Sequence, residues 1–203
     1  MARTDRQPRT RLDPDARRAA ILDAAAEAFT DQPYSEVTVS SIARRVGASD
    51  ALIYRYFAGK EELYTAVVRL AIAQLLERQA AALEELDDGV PVRDRVRAAT
   101  EVYLDHIASH ASAWAMPLRY PGGEPAVAAA LRARAREEYV GRLRALLAPS
   151  SQVRHEYALW GYFGFLDAAC LRWVERECPE GDRDSLIDAA LGSLEGALGD
   201  WAA

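Results

Sequence analysis

Cysteine, histidine and aromatic side chains are all scarce: two Cys, three His and 8% Phe, Trp and Tyr in 203 residues. Two cysteines make no disulfide framework, and Cys170 and Cys178, eight residues apart on one predicted helix, stand ~12 Å from each other. His106 and His110 have the four-residue spacing that can set two imidazoles on one metal. With only His155 left and no neighbouring cysteine pair, the sequence assembles no metal site. No apolar run approaches the ~20 residues that a bilayer span needs, and the N-terminus lacks the apolar stretch of a secretory leader. Neither a nucleophile elbow, a P-loop nor a glycine-rich dinucleotide turn is present. These absences lead to the expectation of a cytoplasmic protein with no membrane partner, no catalytic residues and no cofactor, and so not an enzyme.

Half of the residues are hydrophobic, and they recur at helical period almost throughout, with no convincing alternating strand. The fold class is therefore all-α. Start and stop signals divide the chain into about nine helices. Residues 1–12 (MARTDRQPRTRL) read as a disordered basic arm, either a solvated tail or one that reaches a minor groove. Asp13-Pro14-Asp15 opens helix one, which stops at Asp31-Gln32-Pro33, with Tyr34 packing under the corner that follows. Thr38 caps helix two, helix three spans 50–57, and helix four runs from Lys60 to about Leu86. Behind them come helices from Pro91 to about His110, around 111–118, from Glu124 to Ala148, up to about Glu177, and from about Ser185 to Trp201. No repeats occur.

Charge is segregated. Residues 1–60 hold ten Arg/Lys against eight Asp/Glu, whereas residues 61–203 hold fifteen against twenty-three. The overall −6 thus hides a mildly basic head on an acidic body, the distribution expected of a small nucleic-acid reader carried by a larger domain.

The most informative stretch runs from Val39 to Lys60, VSSIARRVGASDALIYRYFAGK. Ile42, Ala43 and Val46 place an apolar stripe on one short helix, and Ile53 and Phe57 on the next. Gly47 makes the corner and Ser49 caps the second helix. Ala43 lies four residues before that glycine and Ile53 six after it, the spacing of a helix-turn-helix, whose second helix enters the major groove. With Ile21-Leu22-Asp23-Ala24-Ala25 through Phe29, Thr38, Ile42-Ala43, Gly47, Leu52-Ile53-Tyr54-Arg55-Tyr56-Phe57 and Lys60-Glu61-Glu62-Leu63, the region from 16 to 68 resembles the N-terminal domain of the TetR family of transcriptional regulators. The resemblance implies a three-helix DNA-binding domain (13–59) and a larger ligand-binding and dimerisation domain (60–203).

On that domain the candidate DNA contacts lie away from the core. Ser49 and Ala51 sit where side chains reach base edges, with Ala51 suited to a thymine methyl. Thr38, with the backbone N–H groups after it, suits a phosphate. Tyr54 and Tyr56 offer hydroxyls to phosphates or simply pack. Ser40, Ser41, Arg44, Arg45 and Arg55 supply further backbone contacts. The resemblance assigns phosphate contact to the matching tyrosine and lysine positions, here including Lys60. Asp50 departs from the family, many members of which have lysine or a small polar residue there. It either accepts from a cytosine amine or weakens binding to all DNA.

Two further features concern the body. Gly161, Gly164 and Ala168 on helix eight, and Gly192, Gly196 and Gly199 on helix nine, form small-residue stripes. Five helical glycines cost on the order of 4–5 kcal/mol relative to alanine. Close approach in a four-helix bundle of two copies offsets that; the alternative is close packing within one chain. The resemblance favours a homodimer through the last two helices on a palindromic operator. Tyr103, Trp114, Met116, Tyr139, Trp160, Phe163 and Cys170, with His106 and Asp167 among them, make either a filled core or a pocket for a small organic effector. The resemblance implies the pocket, and a repressor that its effector releases from double-stranded DNA. The alternatives are an activator of the same fold, or an all-α carrier or enzyme whose helical corner is structural.

Overall fold

The computed structural model describes residues 13–147, 150 and 152–199. The expected basic arm, and the helix ends placed at Ala148 and Trp201, lie outside them. Among the described residues the chain forms nine α-helices and no strand: α1 (Pro14–Asp31), α2 (Val39–Arg45), α3 (Asp50–Tyr54), α4 (Lys60–Glu84), α5 (Val92–Ser109), α6 (Ala111–Arg119), α7 (Ala126–Leu146), α8 (Val153–Glu175) and α9 (Arg183–Leu198). A single 3-10 turn, Glu180–Asp182, leads into α9.

Two cores organise these helices. The head core gathers Ile21, Ala25 and Phe29 of α1, Ile42 and Ala43 of α2, Ile53 of α3, then Phe57 and Leu63, Tyr64 and Val68 of α4. Ala128 of α7, fully buried, belongs to the same cluster, so the body supplies part of the head's packing. The second core joins α5, α7, α8 and α9 through residues such as Leu104, Leu143, Leu159, Leu166 and Leu191. Helix α4 spans both domains, touching α1 at one end and α5 and α7 along the rest. Helix α6 lies against α1 of the head and against α5 and α8 of the body.

Several boundaries differ from the sequence expectation, each for a local reason. Helix α3 stops at Tyr54 rather than Phe57, because the chain tightens through bonds from the Tyr56 and Phe57 N–H groups to the Ile53 carbonyl. That turn drives Phe57 into the head core at 2% exposure. Helix α7 starts at Ala126, not Glu124, since Pro125 disfavours helical backbone in the residue before it. Glu124 is thereby left outside the helix. Helix α8 ends at Glu175, and Glu177 and Cys178 take φ of 64° and 51°. Cys178 therefore does not share a helix with Cys170; both thiols are unbridged.

Candidate functional site

The corner between α2 and α3 is built by caps. Thr38 Oγ1 accepts from the Ser41 N–H at 3.1 Å, while Ser41 Oγ accepts from the Thr38 N–H at 3.2 Å. Gly47 takes φ 62°, a left-handed conformation that costs other residues roughly 1–2 kcal/mol. Ser49 Oγ then accepts from the Leu52 N–H at 3.3 Å. Ala43 and Ile53, each 1% exposed, belong to the same buried cluster. The opposite surface presents Thr38, Ser40, Arg44, Ser49, Asp50, Ala51, Tyr54 and Arg55, all exposed.

Other expected contact residues are committed elsewhere. Ser41 Oγ donates to the Thr38 carbonyl as well as accepting, so the cap consumes its hydroxyl. Arg45 turns back to α1, where it pairs with Asp31 at 2.6 Å and Glu27 at 3.8 Å. Tyr56 packs against the head core. Ser40 donates to the Asp50 carboxylate, so these two residues hold each other. Lys60 Nζ donates to the Tyr34 carbonyl at 2.8 Å and lies 4.2 Å from that ring's centre. Two of its three ammonium protons remain uncommitted.

From Tyr34 an unbroken chain of contacts leads into the body. The Tyr34 and Phe29 rings flank Tyr64 at 5.0 and 4.8 Å. The Tyr64 hydroxyl donates to Glu124 Oε2 at 2.9 Å, and Arg132 Nε donates to the same oxygen at 3.1 Å. The Glu124 side chain is only 7% exposed. Burial first, with the Glu124 charge adding to it, pushes the Tyr64 phenol up to about 12, against the lowering effect of Arg132. Met116 lines a cleft beside this junction with Tyr34, Tyr64 and Tyr120.

Arg132 also lines a cavity of about 270 Å³, open on one side, between α4, α5, α6, α7 and α8. Six of the nine expected pocket residues reach it: Tyr103, His106, Trp114, Tyr139, Phe163 and Asp167. Three do not. Met116 belongs to the junction cleft, and Cys170 is sealed in the body core, where burial pushes its thiol up to about 12. Trp160 is 39% exposed, its indole donating to Glu156 at 2.9 Å on the surface.

Within the cavity wall the Trp114 indole donates to the Tyr103 hydroxyl at 2.9 Å. The Tyr162 hydroxyl donates to Thr100 Oγ1 at 2.8 Å, because Thr100 spends its own proton on the Val96 carbonyl. Asp167 is paired with Arg136, yet burial outweighs that guanidinium and raises its carboxyl above the ordinary value. Arg78 lies 3.1 Å from His106 Nδ1. Guanidinium only donates, so Nδ1 accepts and the proton of the neutral ring sits on Nε2. Burial first, then the charges of His110, Arg78 and Arg132, lowers His106 to about 4.

With this geometry in place, relatives can be compared. The family model for bacterial regulatory proteins, tetR family, matches residues 21–67. Residues 21–67 thus carry a TetR-type N-terminal domain. The HTH-type transcriptional activator FasR of Mycolicibacterium smegmatis is 38% identical over 97 residues, 48% of this chain and 43% of that protein. The chain thus spans about half the length of the curated relatives it matches. The likeness in fold extends much further. A tetR-family transcriptional regulator from Streptomyces coelicolor superposes with a TM-score of 0.81 over 93% of this chain and 82% of that one, at 20% identity. FadR from Bacillus subtilis, solved in complex with stearoyl-CoA, gives 0.70 over 87% and 96%, at 21% identity.

Behind this N-terminal domain the small-residue stripes of α8 and α9 face outward. Gly161, Gly164, Ala168, Gly192 and Gly196 are exposed, with open space where a Cβ would stand on each of the four glycines. Close packing within one chain is excluded as their reason. Gly199 is a correction: at φ 93° it ends α9, and a Cβ there would stand 3.0 Å from the Arg154 guanidinium. Sequence reasoning missed Glu124, Arg132, Arg136 and Tyr64. The available signal was the stripe Arg132, Arg136, Tyr139, Leu143 and Leu146, which sets two arginines on the face of α7 that lines the cavity.

Two outcomes follow from these charges. The folded His106 value lies below the ordinary 6.5, so the unfolded chain binds the extra proton between pH 4 and 6.5 and stability rises with pH there. Urea unfolding should show a loss of about 2 kcal/mol from pH 7 to pH 5 that His106→Gln removes; an unaltered pH slope in the variant overturns the assignment. Asp50→Ala removes a carboxylate already held by Ser40, and should tighten binding to all duplexes alike. A changed sequence preference in competition gel shifts would instead put Asp50 on a base.

Proposed function

We propose that this chain is a ligand-responsive, DNA-binding transcriptional regulator, a homodimeric repressor that grips a palindromic operator and is released by a small organic effector. The observation that carries this reading is the double role of α4. Its first turns complete the head core through Leu63, Tyr64 and Val68, and its later turns wall the cavity through Ile72, Leu75, Gln79 and Leu83. Anything that changes the cavity's shape therefore acts on the element that seats the reader.

The reader surface comprises Thr38, Ser40, Arg44, Ser49, Asp50, Ala51, Tyr54 and Arg55, with Lys60 at the edge. Exposed serines and arginines suit phosphates, while the small Ala51 lets the helix sit deep in the groove. One such unit reads half a site. The open stripes of α8 and α9, beside exposed Val153, Tyr157 and Trp160, supply a face for a second copy. Twofold pairing then sets the recognition helices about 34–36 Å apart, one duplex turn. Activation by the same fold is the second reading, favoured by the printed name of FasR.

Gel shifts with DNA from upstream of the chain's own gene test the reading: sequence-specific retention is expected, and equal retention of scrambled DNA overturns it. Lys60→Ala should weaken binding to every sequence and lower the salt slope by about one; an unchanged slope takes Lys60 off the phosphates. Gly164→Glu should convert a dimer to a monomer in sedimentation velocity and abolish retention. A variant that still sediments as a dimer puts the interface elsewhere.

A further inference from the structure

The cavity is polarised along α7. Arg132 and Arg136, one turn apart, lie at one end, and Leu143 and Leu146 at the other, about 21 Å from Arg132 to Leu146 by helix rise. Arg142, beside Leu143, also lines it, but its guanidinium is held by the Leu76 carbonyl and Glu138. Asp167 is already bound by Arg136, and Gln79 spends its amide N–H on the Ala99 carbonyl. Among the described residues the Tyr139 hydroxyl proton, the Tyr103 hydroxyl proton and the His106 Nε2–H have no acceptor. Tyr103 and His106 are three residues apart on α5 and so share a face. Arg132 commits only its Nε to Glu124, leaving the paired Nη groups of its fork. What the polar end lacks is therefore an acceptor with negative charge.

We propose that this cavity takes an apolar monocarboxylate, its carboxylate between Arg132 and Arg136 and its chain against Leu83, Leu143 and Leu146. The proposal deepens the effector part of the regulator reading and rests on it. The volume of 270 Å³ holds roughly nine water-sized groups, which fits a medium-length chain. The two arginines discriminate by charge and fork geometry, while the tyrosine and histidine protons add neutral donors beside them. A carboxylate on Arg132 also competes with Glu124 for the same guanidinium, so the ligand acts on the contact that reaches Tyr64 of α4.

Calorimetry on the full chain with sodium decanoate, methyl decanoate, decylamine and decanoyl-CoA tests this. Decanoate should bind at least about tenfold more tightly than its methyl ester, and the amine should not bind, because only the anion completes charge-assisted bonds to both forks. Arg136→Gln combined with Asp167→Asn, which leaves no unpaired buried charge, should cost decanoate about tenfold or more and the ester under about threefold. Equal binding of ester and acid, binding of the amine, or binding of decanoyl-CoA with decanoate silent overturns the proposal. So does binding by none of the four. Failure of the regulator reading appears separately, as loss of sequence-specific retention of the upstream DNA, which ligand titrations do not touch.

Discussion

A buried carboxylate joins the two halves of this molecule. Glu124 is nearly inaccessible, and an ionised group in that position is tolerable only while donors hold it. Its two donors come from different places: Tyr64 from the helix that completes the head core, and Arg132 from the cavity wall. Removing either leaves the other facing an incompletely solvated charge. The junction is consequently cooperative, and rigid only when all three groups are in register. The aromatic stack of Phe29, Tyr34 and Tyr64 continues the contact to Lys60 at the first turn of α4.

This arrangement makes the cavity and the reader a single mechanical problem. A ligand shifts a two-state equilibrium only by the difference in its affinity for the two states. Filling apolar space against Leu143 and Leu146 acts only on residues of the body core, away from the head. Contact at the polar end is another matter, because Arg132 cannot serve a second anion at full strength without weakening its bond to Glu124. In the proposed regulator the coupling free energy therefore resides where ligand charge and Glu124 compete.

How much of this was legible in the sequence depends on the distance between the partners. The corner was readable because its determinants are local: Thr38 and Ser49 cap, Gly47 takes the left-handed turn, and Ala43 and Ile53, ten residues apart, share one core. Helix order followed from the same kind of signal. Tyr64 and Glu124 are sixty residues apart, and nothing in a window around either names the other. The arginines of α7 carry no local signal that turns them inward, since guanidinium groups on a helix usually reach water. Trp160 failed the opposite way: a large aromatic was assigned to the interior, but Glu156 one turn before it anchors the indole outside. Pro125 was the overlooked clue to Glu124, because a residue before proline leaves the helix and its side chain can turn inward.

The outward stripes of α8 and α9 complete the argument about assembly. These two helices pack on one another through Leu159, Leu166, Ile187, Leu191 and Leu194, so the bundle does not need the glycines for its own closure. Four exposed glycines within helices nevertheless cost about 3–4 kcal/mol of helical propensity. Serine or alanine in the same places would be cheaper and no less soluble. The cost is recovered only where another backbone comes closer than a Cβ permits, and the open space over Gly161, Gly164, Gly192 and Gly196 lies on the side away from this chain's own core. A second copy presenting the same stripe meets that requirement by symmetry, small residues against small residues.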